Sequence, residues 1–175
     1  MIQIAALWGT ISGVLYILIT WFSIHYRIEL NEKMPIWPLL NTGLYVLILG
    51  FCIFFGMQKI KNKLYAETGI NYGQALYTGV IISIITGVLS GFFFLVYIEY
   101  FNSTLGYQIA TEMKLLMIQN KKTSKEITET VFQIKNQYQP INLMMSSLIG
   151  TTTMGIICSS ILAMFVRNRD AFTSK

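Results

Sequence analysis

The chain has 175 residues, of which 54% are apolar and only 12% are Asp, Glu, Lys or Arg. That length holds one domain, and the charged share is about half that of an ordinary soluble domain. The net charge of +5 does not point to nucleic acid: the Lys and Arg residues sit beside long apolar blocks, and no RNA- or DNA-binding motif accompanies them.

The N-terminus, Met1-Ile2-Gln3-Ile4, has no basic leader and no small-residue cleavage site after its apolar stretch, so the first block is expected to stay as a helix. The blocks run from about Ile4 to Tyr26, Ile36 to Met57, Ala75 to Phe101 and Ile141 to Val166. Each reaches the roughly 20 residues that a helix needs to cross about 30 Å of hydrocarbon. None contains Lys, Arg or Asp, and Glu99 lies near the end of its block. A spanning segment must satisfy its backbone internally, and isolated apolar runs do so as helices. The expected fold is therefore all-α, a bundle of four transmembrane helices, with residues 1–175 as a single integral membrane domain.

Ring-bearing side chains mark the block edges. Trp21, Tyr26, Trp37, Tyr97 and Tyr100 gather toward one interface, and Trp8, Tyr72, Tyr77 and Phe165 toward the other. Pro35 and Pro38 fall where the second helix begins, where a missing N–H costs least. Four crossings place Lys59, Lys61, Lys63, Arg167, Arg169 and Lys175 on one face, in short flanks. Arg27, Lys33, Lys114, Lys121, Lys122, Lys125 and Lys135 fall on the other, mostly within one long segment. Charges close to helix ends weigh more, so both termini are expected in the cytoplasm.

That long segment, about 103–138, carries two helical stripes, Leu105, Ile109, Met113 and Leu116, then Ile127, Val131, Ile134 and Tyr138. Between them, Thr123 and Glu126 have the spacing of a capping box. The pattern predicts an amphipathic helical hairpin between the third and fourth membrane helices, its first helix continuing from the third. The stripes face each other, the membrane surface or a partner.

Small residues recur every four positions in the third block (Ala75, Gly79, Ser83, Gly87, Gly91) and in the fourth (Ser147, Thr151, Gly155, Ser159, Ala163). Gly9 and Gly13 add a shorter run in the first. Such spacing keeps small side chains on one face and lets two backbones approach. The ladders serve either to close one monomeric bundle or to join copies of the chain.

The ionisable groups in or beside the spans are His25, Arg27 and Glu99, all toward the outer ends of their helices. Such residues can build a proton relay, or simply reach headgroup water. Cys52 and Cys158 lie in apolar blocks and read as small hydrophobes. With one His there is no zinc-ligand set, and no phosphate loop or nucleophile elbow occurs. No catalytic, cofactor-binding or metal residue is therefore assigned.

Tyr72-Gly73-Gln74-Ala75-Leu76-Tyr77-Thr78-Gly79, followed by Ser83, Gly87 and Ser90-Gly91, resembles the start of the third helix in the family called domain of unknown function 4199. In that family the stretch reads approximately aromatic-Gly-Glu/Gln-Ala-Phe-x-x-Gly. The order of features, with a Lys-rich second loop, a charged helical segment before the last helix and a basic tail, is similar as well. The resemblance implies a small four-helix protein of the bacterial inner membrane, mainly of Bacteroidota, and transfers no site residue. The expected role is a non-enzymatic interaction or scaffold protein, in contact with the lipid bilayer and with a membrane-protein partner or a homo-oligomer. The alternative is a subunit of a small oligomeric transporter or channel.

Overall fold

The computed structural model describes residues 1–26 and 37–167, so Arg27, Lys33, Pro35, Arg169 and Lys175 lie outside the described residues. The described residues are mostly helical, and no strand occurs among them. Helix α1 covers Ile2–His25, α2 Trp37–Leu64 and α3 Tyr72–Val96, and a π turn follows at Tyr97–Phe101. Helix α4 covers Leu105–Gln119, α5 Ser124–Gln137 and α6 Pro140–Val166. Four of these stretches, α1, α2, α3 with its π turn, and α6, are long and apolar enough to cross a membrane. Their outer surfaces are greasy: Leu7, Leu18, Leu47, Phe51, Phe92, Ile149 and Phe165 are each more than half exposed. Apolar patches of that extent suit hydrocarbon as the surrounding solvent.

Two compact units make up the chain. One comprises residues 1–90 and the chain from Leu148 onward, the other Gly91–Ser147. In the first unit, Ala5, Leu49, Ile53, Met57, Ile60, Ile70, Ala75, Ile82, Ala163 and Val166 form a buried apolar cluster. Trp8 stacks on Phe55 at its edge, ring centroids 5.8 Å apart.

Two helix ends depart from the sequence pattern. Helix α2 does not stop near Met57 but continues to Leu64, so Lys59, Lys61 and Lys63 are helical and not part of a loop. Ile60 is fully buried there, and the Lys61 ammonium donates to the Val166 carbonyl at 3.0 Å, capping the C-terminus of α6. A cation at the negative end of a helix is favourable, which gives the basic stretch a reason to stay helical. Helix α3 begins with a capping box. The Gln74 backbone N–H donates to Asn71 Oδ1 at 2.8 Å, and the Asn71 N–H donates to Gln74 Oε1 at 3.1 Å. This accounts for an amide or carboxylate at position 74, since either can reach back to the N-cap.

In the second unit the helical hairpin is present, but its first helix does not run on from α3. The Asn102 N–H bonds to the Tyr97 carbonyl at 2.9 Å, five residues back, and Asn102 then leaves helical geometry at φ −148. Helix α4 starts afresh at Leu105. Lys121, at φ 54, turns the chain between α4 and α5. Thr123 caps α5: its Oγ1 accepts from the Glu126 N–H at 3.3 Å, and its own N–H donates to Glu126 Oε2 at 2.9 Å.

The stripe of α5 (Ile127, Val131, Ile134, Tyr138) is half-buried against α4, whereas only part of the α4 stripe is covered. Leu105 and Ala110 are buried while Met113 and Leu116 are exposed. The cause is side-chain size. A β-carbon on Gly106 would lie 2.8 Å from that of Tyr138, so α5 approaches α4 along its small residues.

Candidate functional site

Within the first unit, α3 and α6 meet through small residues. A β-carbon on Gly155 would strike the Ser83 side chain, and one on Gly79 would strike that of Ser159. Farther along, a β-carbon on Gly87 would lie 3.1 Å from the Leu148 carbonyl. Thr151, Ser159 and Ala163 are buried, as are Ala75 and Ser83. In the second unit, a β-carbon on Gly91 would lie 2.9 Å from the Met144 carbonyl, and Ser147 is half-buried. Gly9 and Gly13 serve a different seam. Their added carbons would meet Ile85 Cβ at 2.8 Å and Leu89 Cδ1 at 2.7 Å, which packs α1 on α3. Thr86 crosses that seam, its hydroxyl lying 3.2 Å from the Gly9 carbonyl and 2.9 Å from that of Ile82.

Toward the end of α1 a polar network joins α1 to α2. The Ser23 hydroxyl donates to Asn41 Oδ1 at 3.0 Å, Asn41 Nδ2 donates to the Tyr45 hydroxyl at 3.3 Å, and Thr20 Oγ1 lies 3.0 Å from the same hydroxyl. Tyr16 stacks on Tyr45 with centroids 4.3 Å apart. In hydrocarbon such side-chain bonds hold helices together. Nothing in the spacing of Thr20 and Ser23 separates them from other small residues, because their value lies in facing Asn41 and Tyr45.

Of the three outer polar residues, His25 stacks on Trp21, centroids 5.4 Å apart and planes 6° from parallel, and meets Tyr26 edge-on. Arg27 lies outside the described residues. Glu99 sits in the π turn of the other unit and lines a half-open cleft of about 590 Å³ with Ser103, Tyr107, Phe132, Lys135 and Asn136. The Lys135 ammonium lies 4.5 Å from the centre of the Tyr107 ring, a cation–π contact. Glu99 and Lys135 form no ion pair with each other or with any described residue. Lys135, Tyr107 and Phe132 were not legible as site residues. The signal that finds them is the antiparallel pairing of α4 with α5, which brings the first turn of one beside the last turn of the other.

Among the described residues, no three His, Cys, Asp or Glu side chains come together, and both cysteines are free thiols. One carboxyl group outside the spans is perturbed: the Thr123 backbone N–H, then the Thr123 hydroxyl and the Lys122 charge, hold Glu126 below the usual carboxylate range. That is capping energetics on an exposed side chain.

Four apolar helical spans with lipid-suited outer faces define an all-α, multi-pass membrane protein. The chain belongs to the family described as protein of unknown function (DUF4199), whose sequence profile matches residues 7–168. Neither a curated protein nor a solved structure matches it.

Proposed function

We propose that the chain is a non-enzymatic membrane interaction protein that presents the α4–α5 hairpin to another membrane protein. The observation that carries this reading is the apolar surface near the hairpin turn. Leu115, Leu116 and Ile118 are more than half exposed and Met113 is 38% exposed, in a segment outside the spans. Unpartnered apolar side chains on an extramembrane helix favour a contact surface over an idle one. Lys and Arg crowded beside helix ends, rather than their nearly equal totals on the two faces, support placing both termini in the cytoplasm; with the bacterial inner membrane that the family resemblance implies, the hairpin then lies on the outer side.

A photo-reactive residue in place of Leu116 tests the contact in native membranes. The expected product is a discrete protein adduct that is lost when the probe is moved to Lys114. Recovery of the chain alone and monomeric, or of lipid adducts only, would count against a protein partner. Labelling of single cysteines placed in the α4–α5 turn and at the N-terminus, using membrane-impermeant reagents, tests the orientation.

A further inference from the structure

We infer that the cleft between the π turn and the base of the hairpin holds the phosphoethanolamine head of a membrane lipid. The site is distinct from the apolar surface near the hairpin turn, and the inference does not rest on a protein partner. The cleft has one charge of each sign, Glu99 and Lys135, and neither is neutralised by an ion pair among the described residues. A zwitterion satisfies both: its phosphate meets the Lys135 ammonium and its primary ammonium meets the Glu99 carboxylate, each through charge-assisted hydrogen bonds. Ser103, Asn136 and Gln139 add neutral polar groups, and Ile98, Phe132 and Pro140 supply an apolar wall.

Size and position agree with this occupant. A cavity of about 590 Å³ lies within the range of small-molecule sites. Its lining comes from the stretch where one span ends, at Phe101, and the next begins, at Pro140, which is the depth of lipid headgroups. On the same π turn, Tyr100 and Phe101 are 78% and 77% exposed, rings suited to the headgroup level beside an acyl chain. An anionic lipid would satisfy Lys135 but bring its charge toward Glu99. A choline head has no N–H to donate, and cages for quaternary ammonium groups use aromatic faces. Here the Tyr107 face already carries Lys135.

The test uses the full chain, delipidated in a mild detergent, with lipid occupancy read by native mass spectrometry. Phosphatidylethanolamine, phosphatidylcholine and phosphatidylglycerol with identical acyl chains are titrated in parallel. We expect one phosphatidylethanolamine per chain, held about tenfold more tightly than either of the others. Glu99→Gln should abolish the preference over phosphatidylcholine, and Lys135→Gln should weaken both zwitterionic lipids. Both side chains are exposed, and circular dichroism checks that each variant folds. Equal binding of the three lipids by the unsubstituted protein, or a preference that survives both substitutions, overturns the inference. Glycerophosphoethanolamine, the same head without chains, is titrated beside them. If it binds as tightly as the lipid, the assignment to a lipid fails in favour of a soluble ligand.

Discussion

Replacing Gly155 by alanine places a methyl group where α6 meets the side chain of Ser83 on α3. The Ser83 hydroxyl donates to the Gly79 carbonyl at 2.7 Å, which fixes its rotamer. Room for the methyl comes either from turning that hydroxyl away or from parting the two helices. Losing the hydrogen bond costs about 1 kcal/mol, and forcing a methyl group into a close-packed seam costs about 1–3 kcal/mol. Gly155→Ala should therefore lower stability by about 2 kcal/mol. The added carbon meets both Oγ and Cβ of Ser83, so Ser83→Ala should leave the clash in place and Ser83→Gly should relieve it. The pair Gly155→Ala with Ser83→Gly should then be more stable than the two single effects sum to, the signature of direct contact. Unfolding of the purified protein in mixed micelles of rising SDS content, followed by circular dichroism, reads the three single variants and the two double variants that join Gly155→Ala to Ser83→Ala or Ser83→Gly. A neutral Gly155→Ala, or rescue by Ser83→Ala as complete as by Ser83→Gly, would refute the reasoning that α3 and α6 meet on this face.

Gly150 is the contrasting case: nothing lies within 4 Å of an added β-carbon, so Gly150→Ala should stabilise the same protein by about 0.5–1 kcal/mol through helix propensity, in the same titration. Tyr45→Phe keeps the ring on Tyr16 but removes the hydroxyl beside Thr20 and Asn41, and should cost between about 0.6 and 1.7 kcal/mol. A Tyr45→Phe protein as stable as the parent would show that the network contributes nothing. Glu126 has its folded-state pKa depressed by Thr123 and Lys122, so its contribution is complete above the ordinary carboxylate pKa and is lost as pH falls through the depressed value. Amide protection factors in the first turn of α5, with the intrinsic pH dependence of exchange divided out, should fall across that acidic window in the parent and stay flat in Glu126→Gln; identical protection profiles would contradict the capping account.

The spans were legible because a helix crossing lipid needs an unbroken apolar length, and that length is written in consecutive residues. Their ends were less so. Lys59, Lys61 and Lys63 read as a loop because charge usually ends a span, yet Lys61 has the Val166 carbonyl to cap and Ile60 a buried place to fill. The Thr123–Glu126 box was read from its spacing, while the equivalent Asn71–Gln74 box went unread, since only Gln74 belongs to the stretch quoted for the family, which begins at Tyr72. In the hairpin, hydrophobicity alone left open whether Met113 and Leu116 face α5, the membrane surface or a partner, because the face that packs is chosen by how closely backbones can approach, and Gly106 lets Tyr138 come near. Of the cleft, Glu99 was singled out in the sequence, but its company with Lys135 was not legible, because that depends on a π turn and a helix-pairing register that no local pattern states.

A seam made of glycine and serine leaves little interior to open. Where Gly79 faces Ser159 and Gly155 faces Ser83, only a hydroxymethyl group separates one helix backbone from the other. Within that unit a void between them has no room to form without parting the helices. Any water-filled path through it has to run along some other line than the one between α3 and α6.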